Sequence, residues 1–243
     1  MAATHRDEFA LLTGQSSGSP YPPGIAPLGG KGKFTPDGAV QHWPGNTFVC
    51  HINRASTAYE VIRALQEEVK KGPFNRFFTF LPPPSFHMTV YQGLSPGMTP
   101  DTGWPRGIPT GQSRDEVTDI LLKRLRQVSL PTDYRIRVDR LFAGYSLKVS
   151  GADDREESAL RHARVALRDA TGITFADFDD YGFHITLAYL IDWLSDSTAQ
   201  ELLDFGAEIG RQFLGVIGTF DLGPVEFCNF DTMHHFEVLK TLT

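Results

Sequence analysis

A five-residue phrase written twice constrains this chain more than any other feature. Residues 86–90 read Phe-His-Met-Thr-Val, and residues 183–187 read Phe-His-Ile-Thr-Leu. Successive side chains on a strand point to opposite faces. As strands, the phrases put His87 and Thr89 on one face, with Phe86, Met88 and Val90 on the other. His184 and Thr186 likewise stand against Phe183, Ile185 and Leu187. Each apolar set can enter a core while its His and Thr look out together. An isolated His-x-Thr triplet carries little weight in a chain with 8 His. Two copies that share a preceding Phe, an apolar middle and an aliphatic end carry much more. Two lobes, each built around one copy, are the simplest architecture.

The rest of the chain supplies matching punctuation. Residues 14–46 are dense in Gly, Pro and Ser, which predicts an irregular extension over 1–45, outside the core. Its GGKGK stretch lacks the GxxxxGK[ST] order of a phosphate loop, and Phe34 follows the last lysine. A single domain is expected over 46–243. Strands are predicted over 47–52, 76–81 and 86–94, with a helix over 56–72 between the first two. In that helix Tyr59, Ile62, Leu65 and Val69 share a face, Ser56 caps the start and Gly72 ends it. A Gly/Pro-rich loop over 95–114 precedes a helix over 115–128. The second half repeats the grammar. Strands are predicted over 134–144, 145–151, 183–191, 218–230 and 234–242, and helices over 156–172 and 197–215. Short connections between paired strands predict an α+β fold with antiparallel sheets, rather than a parallel doubly wound one.

Two imidazoles and two hydroxyls facing one cleft suit phosphoester chemistry. A neutral His removes a proton from water or a ribose hydroxyl, and a protonated His gives one to a leaving oxygen. Each Thr hydroxyl can donate to a nonbridging phosphate oxygen. No cofactor or metal is required by such a set.

The paired phrases, the Pro-rich turn before the first (Pro82, Pro83, Pro84) and the strand–helix order resemble the 2H phosphoesterase superfamily over about residues 46–242. That superfamily includes the 2′-5′ RNA ligase-like proteins and cyclic nucleotide phosphodiesterases. The resemblance implies a bilobal fold of two pseudo-symmetric lobes, with antiparallel sheets lining a central cleft and helices outside. It places His87, Thr89, His184 and Thr186 at the catalytic positions. The expected activity is hydrolysis of a 2′,3′-cyclic phosphate or a related small cyclic phosphodiester. The alternative is a noncatalytic protein that binds nucleotides or RNA ends. The long N-terminal extension and the 95–114 loop resemble an uncharacterised branch of the superfamily.

Strand parity nominates substrate-binding residues around this set. Tyr91 shares the parity of His87 and Thr89, and His51 lies opposite the apolar face of its strand. Lys148 and Arg76 are candidates to offset phosphate charge. His51, converging with the other two histidines, also offers a rival metal site, with Asp179 and Asp180 near the second phrase. The HHFE stretch at 234–237 reads as structural. A net charge of −6 disfavours a grip on long nucleic acid. The expected partner is a small cyclic phosphate, a nucleotide or a short RNA end. No apolar run reaches the roughly 20 residues of a membrane span, and the first residues do not read as a secretory signal. Cys50 and Cys228, without CxxC spacing, read as buried thiols of a reducing compartment. A cytoplasmic monomer is expected.

Overall fold

The computed structural model describes residues 5–15 and 17–243. In chain order the regular elements are α1 (His5–Thr13), β1 (Gly45–His51), α2 (Thr57–Lys71), β2 (Phe78–Phe80), β3 (His87–Gln92), α3 (Arg114–Arg124), β4 (Tyr134–Phe142), β5 (Ser146–Gly151), α4 (Asp154–Thr171), β6 (His184–Thr186), β7 (Ala188–Leu190), α5 (Asp196–Ile217), β8 (Thr219–Leu222), β9 (Glu226–Thr232) and β10 (His235–Thr241). Eight strands form one antiparallel sheet in the order β10-β9-β1-β3-β6-β5-β4-β8, while β2 and β7 pair separately. The α+β class and the antiparallel pairing are as expected. Each copy of the phrase occupies the inner strand of a four-stranded half. The halves meet at a seam where Met88 stands opposite Ile185, the middle residues of the two phrases.

Local chemistry explains where the predicted strands divide. Gly223 and Pro224 separate β8 from β9, which lie far apart in the sheet. The stretch 183–191 breaks at Leu187. There the carbonyl accepts from the backbone of Leu81 at 3.0 Å and from Gln66 Nε2 at 2.8 Å, and the chain leaves the main sheet to pair with β2. Gln66 Nε2 also donates to the Leu81 carbonyl at 2.8 Å. One buried amide on α2 therefore holds the chain at Leu81, just after β2, and at Leu187, between β6 and β7. The Ser56 cap forms as expected, its side chain accepting from the Tyr59 N–H. On α4, the buried Arg164 sends Nη1 to the Val90 carbonyl at 2.7 Å and Nη2 to the Phe178 carbonyl at 3.1 Å.

The segment 1–45 departs from its expectation. Residues 1–4 and 16 lie outside the described residues. The remainder begins with α1, whose Leu12 is buried among Leu194, Leu202 and Leu203. The Glu8 carboxylate pairs with Arg140 and accepts the Ala143 N–H at 2.6 Å, beside the left-handed turn between β4 and β5 (Ala143 φ 47°). Residues 17–44 carry little regular structure, yet Ile25 and Phe34 enter the main core. The Phe34 ring meets Tyr189 at 5.0 Å and His234 at 5.8 Å. High Gly and Pro content prevents helix and strand here, but it does not keep large apolar side chains out of a core.

Candidate active site

The seam brings the two phrases together. With Met88 opposite Ile185 in an antiparallel pair, one step along each strand sets His87 against Thr186 and Thr89 against His184. Directly opposed residues share a face, so all four point away from the buried Met88 and Ile185. They line one cavity of about 330 Å³. A second cavity, of about 270 Å³, shares Lys33, His184, Thr186 and Tyr189 with the first. The two are chambers of one cleft. At their boundary Lys33 Nζ donates to the Tyr189 hydroxyl at 3.3 Å. Trp43, Phe230 and Phe236 wall the first chamber, and Phe142, Tyr145 and Pro22 the second. The chain has 29 acidic residues, yet no described Asp or Glu lines either chamber.

Both imidazoles are held in the same way. His87 Nδ1 donates to the Ser85 carbonyl at 2.7 Å, and His184 Nδ1 donates to the Gly182 carbonyl at 3.0 Å. A carbonyl only accepts, so each Nδ1 carries the hydrogen and each Nε2 keeps its lone pair. Burial lowers the His87 pKa to about 3. The Ser85 carbonyl opposes that shift, and the charges of His51, His184 and Lys33 add to it. His184 is also lowered, again chiefly by burial, with Lys148 and Lys33 adding and the Gly182 carbonyl opposing. In the free protein both rings are therefore neutral bases at neutral pH.

This depression has a stability consequence with a fixed sign. Between pH 6.5 and about 3 the unfolded chain binds a proton that folded His87 refuses. The contribution is fully present above pH 6.5 and is lost as pH falls toward 3. His87→Gln should therefore shrink the loss of unfolding free energy between pH 7 and pH 4. Urea titrations of both proteins across that range measure it. Equal losses in the two would show that His87 is not held neutral by the fold.

The other nominated residues divide. Lys148 stands opposite His184 in the sheet and lines the second chamber, its Nζ 4.7 Å from the centre of the Phe142 ring. Burial lowers its pKa. His51 stands opposite His87, with its ring centre 6.0 Å away, but sits beside the cavity and holds Glu226 through Nδ1 at 2.5 Å. Tyr91 is corrected. Val49 pairs with Thr89 and Phe48 with Tyr91, which leaves Val90 as an extra residue. This bulge reverses the parity and turns Tyr91 into the core, where its hydroxyl donates to the Ile173 carbonyl at 2.6 Å. Arg76 is corrected too. It lies in an exposed turn against the Phe77 ring and lines neither chamber. HHFE, read as structural, contributes Phe236, whose ring centre lies 4.3 Å from that of His87.

Lys33, Tyr189, Tyr181 and Ser146 were not nominated from the sequence. Ser146 pairs with Thr186, and Tyr181 packs its ring 6.0 Å from that of His184. Tyr189 has the wrong parity for the His184 face and arrives only because the chain breaks at Leu187. For Lys33 the one sequence signal was the GGKGK stretch.

The three-histidine metal site does not assemble, because His51 stays outside the cleft. Among the described residues, the group with ligand atoms close enough to share an ion is His51, Glu226 and Cys228, all within 4.8 Å. Burial pushes the Cys228 thiol up to about 12, and His51 Nδ1 is already engaged by Glu226. The group is a hydrogen-bonded His51–Glu226 pair beside a buried thiol.

Residues 33–146 match a family described as "2H-phosphodiest: Domain of unknown function (DUF1868)". That span holds the first phrase, Lys33 and Ser146. Among solved structures, the chain is similar to a conserved protein of unknown function, ATU0111, from Agrobacterium tumefaciens strain C58. The two share 27% identity with a TM-score of 0.85, over 97% of this chain and 99% of that one. TT0787 of Thermus thermophilus also matches, at 15% identity and a TM-score of 0.41, over 81% of this chain and 96% of that one. No curated protein matches. The likeness to the 2H phosphodiesterases thus rests on the family match over residues 33–146, and the fold along nearly the whole chain is shared with ATU0111.

Proposed function

We propose that this chain, 2H-phosphodiesterase-like over residues 33–146, is a metal-independent phosphoesterase that hydrolyses a 2′,3′-cyclic phosphate or a related small cyclic phosphodiester. The observation that carries the reading is a cleft lined by no described Asp or Glu and holding two matched His/Thr pairs in an acidic protein. A phosphodiester anion meets no like charge there, and its own charge raises the pKa of an adjacent imidazole. Binding thus supplies the protonated His that the free site lacks. One His removes a proton from water, and the water oxygen bonds to phosphorus. The other gives its proton to the ribose oxygen as the P–O ester bond breaks. Thr89 and Thr186 hydroxyls donate to the nonbridging oxygens as charge builds on them. Among the described residues no helix is long and apolar enough to cross a membrane.

Turnover of a panel of cyclic phosphates by purified protein, with and without exhaustive chelation, tests this. Turnover should survive the chelator unchanged. Loss in chelator, restored by a stoichiometric divalent ion, would replace the mechanism with a metal-assisted one. Tight binding of the panel without product would favour the noncatalytic binding protein.

A further inference from the structure

We infer that Lys33, carried by the N-terminal segment, is a phosphate-binding residue, so that residues 17–44 complete the cleft. The inference rests on the proposed function and adds a cation that the paired phrases do not contain. Lys33 is one of the residues common to both chambers, with His184, Thr186 and Tyr189. Two lysines of α2 spend their charge on carboxylates, Lys70 on Glu67 and Lys71 on Glu68, each at 2.7 Å, whereas Lys148, lining the second chamber, lies over the Phe142 ring. Lys33 Nζ instead meets the Tyr189 hydroxyl at 3.3 Å and lies 5.2 Å from the centre of that ring. Both contacts hold an ammonium without neutralising it. Its field already reaches both imidazoles, lowering His87 and His184 alike. A cation that faces two neutral bases, with no described acid lining the space, is placed for an anion that lies between them.

The segment is built to hold it there. The Lys33 N–H donates to the Gly24 carbonyl at 2.7 Å, and its carbonyl accepts from the Gln41 N–H at 2.8 Å. Gln41 Nε2 donates to the Ala26 carbonyl at 2.9 Å, and Thr79 Oγ1 ties the Gly38 carbonyl to β2 at 2.8 Å. The next residue, Phe34, is fully buried. The backbone beneath the lysine is therefore fixed, and only the side chain needs ordering when the anion binds.

Calorimetric titration with inorganic phosphate, alongside NMR titration of the histidine ring protons, tests this on wild type, Lys33→Gln and Lys33→Arg. Lys33→Gln should weaken phosphate binding on the order of 10- to 100-fold. It should also raise the titration midpoints of both cleft histidines. Lys33→Arg should keep most of the affinity, and thermal unfolding of all three should coincide. Wild-type affinity and unmoved midpoints in Lys33→Gln would overturn the inference, as would a wild type that binds no phosphate. The two readings fail separately. If no cyclic phosphate is turned over but Lys33→Gln loses phosphate, only the proposed hydrolysis falls. If wild type turns over and Lys33→Gln matches it in binding and rate, only the role of Lys33 falls.

Discussion

His87→Ala and His184→Ala should each lower turnover on the order of 100- to 10,000-fold, with thermal unfolding close to wild type. Both rings are partly exposed in the cleft, so neither change opens a sealed core cavity. The double variant should be little slower than either single one, because removing one member of a proton-transfer pair already disables the other. The pH profile carries a further sign. Productive chemistry needs one ring neutral and one protonated, which makes the profile bell-shaped. Both pKa values are lowered in the free protein, so kcat/KM should peak on the acidic side of pH 6.5. A bound phosphodiester anion restores basicity to the ring it touches, so the alkaline limb of kcat should lie at higher pH than that of kcat/KM. Steady-state kinetics of both singles and the double, across pH, decide this. A single variant that retains near wild-type turnover would end the paired acid–base mechanism.

The second large effect is expected behind the cleft wall, at Arg164, which lines neither chamber. This side chain is 2% exposed, bonds the Val90 and Phe178 carbonyls, and lies 4.1 Å from the Tyr181 ring centre. Val90 is the extra residue of the bulge between Thr89 and Tyr91. Arg164→Met keeps much of the volume but leaves the buried Val90 carbonyl and the part-buried Phe178 carbonyl without their charged donor, at a cost on the order of 2–4 kcal/mol. Turnover should fall as well, because the anchor beside Thr89 is gone. Urea unfolding of the variant gives the answer. A change under about 1 kcal/mol would mean that the bulge holds without its arginine.

These two sites mark the boundary of what was legible in the chain. His87, Thr89, His184 and Thr186 were readable because alternation along a strand is a local property, and five residues suffice to show it. Tyr91 obeyed the same alternation on paper and failed, because its parity is reversed by a bulge whose anchor, Arg164, comes from a helix more than seventy residues later. Arg76 failed for a related reason. The predicted strand over 76–81 begins only at Phe78, and Arg76 is left in an exposed turn. Lys33 was invisible because nothing in a Gly/Pro-rich stretch shows that Phe34 will pull it across the opening of a cleft built by residues far downstream. The broad α+β arrangement needed only periodicity and punctuation. The additions that shape the cleft depend on contacts between distant parts of the chain.

The seam at Met88 and Ile185 has a consequence of another kind. A half-turn about it exchanges His87 with His184 and Thr89 with Thr186. A dyad has no preferred end, so these four residues alone present the same surroundings to a diester lying either way round. Orientation has to come from whatever the half-turn fails to match. Next to His184 stands Lys148, which lines the second chamber, whereas the matching place next to His87 is taken by His51, which is held by Glu226 outside the cleft, so this pair of neighbours carries a cation into the cleft on one side of the dyad only. If the proposed 2′,3′-cyclic phosphate is the substrate, the choice between a 2′ and a 3′ leaving oxygen belongs to the unlike neighbours and not to the repeated phrase.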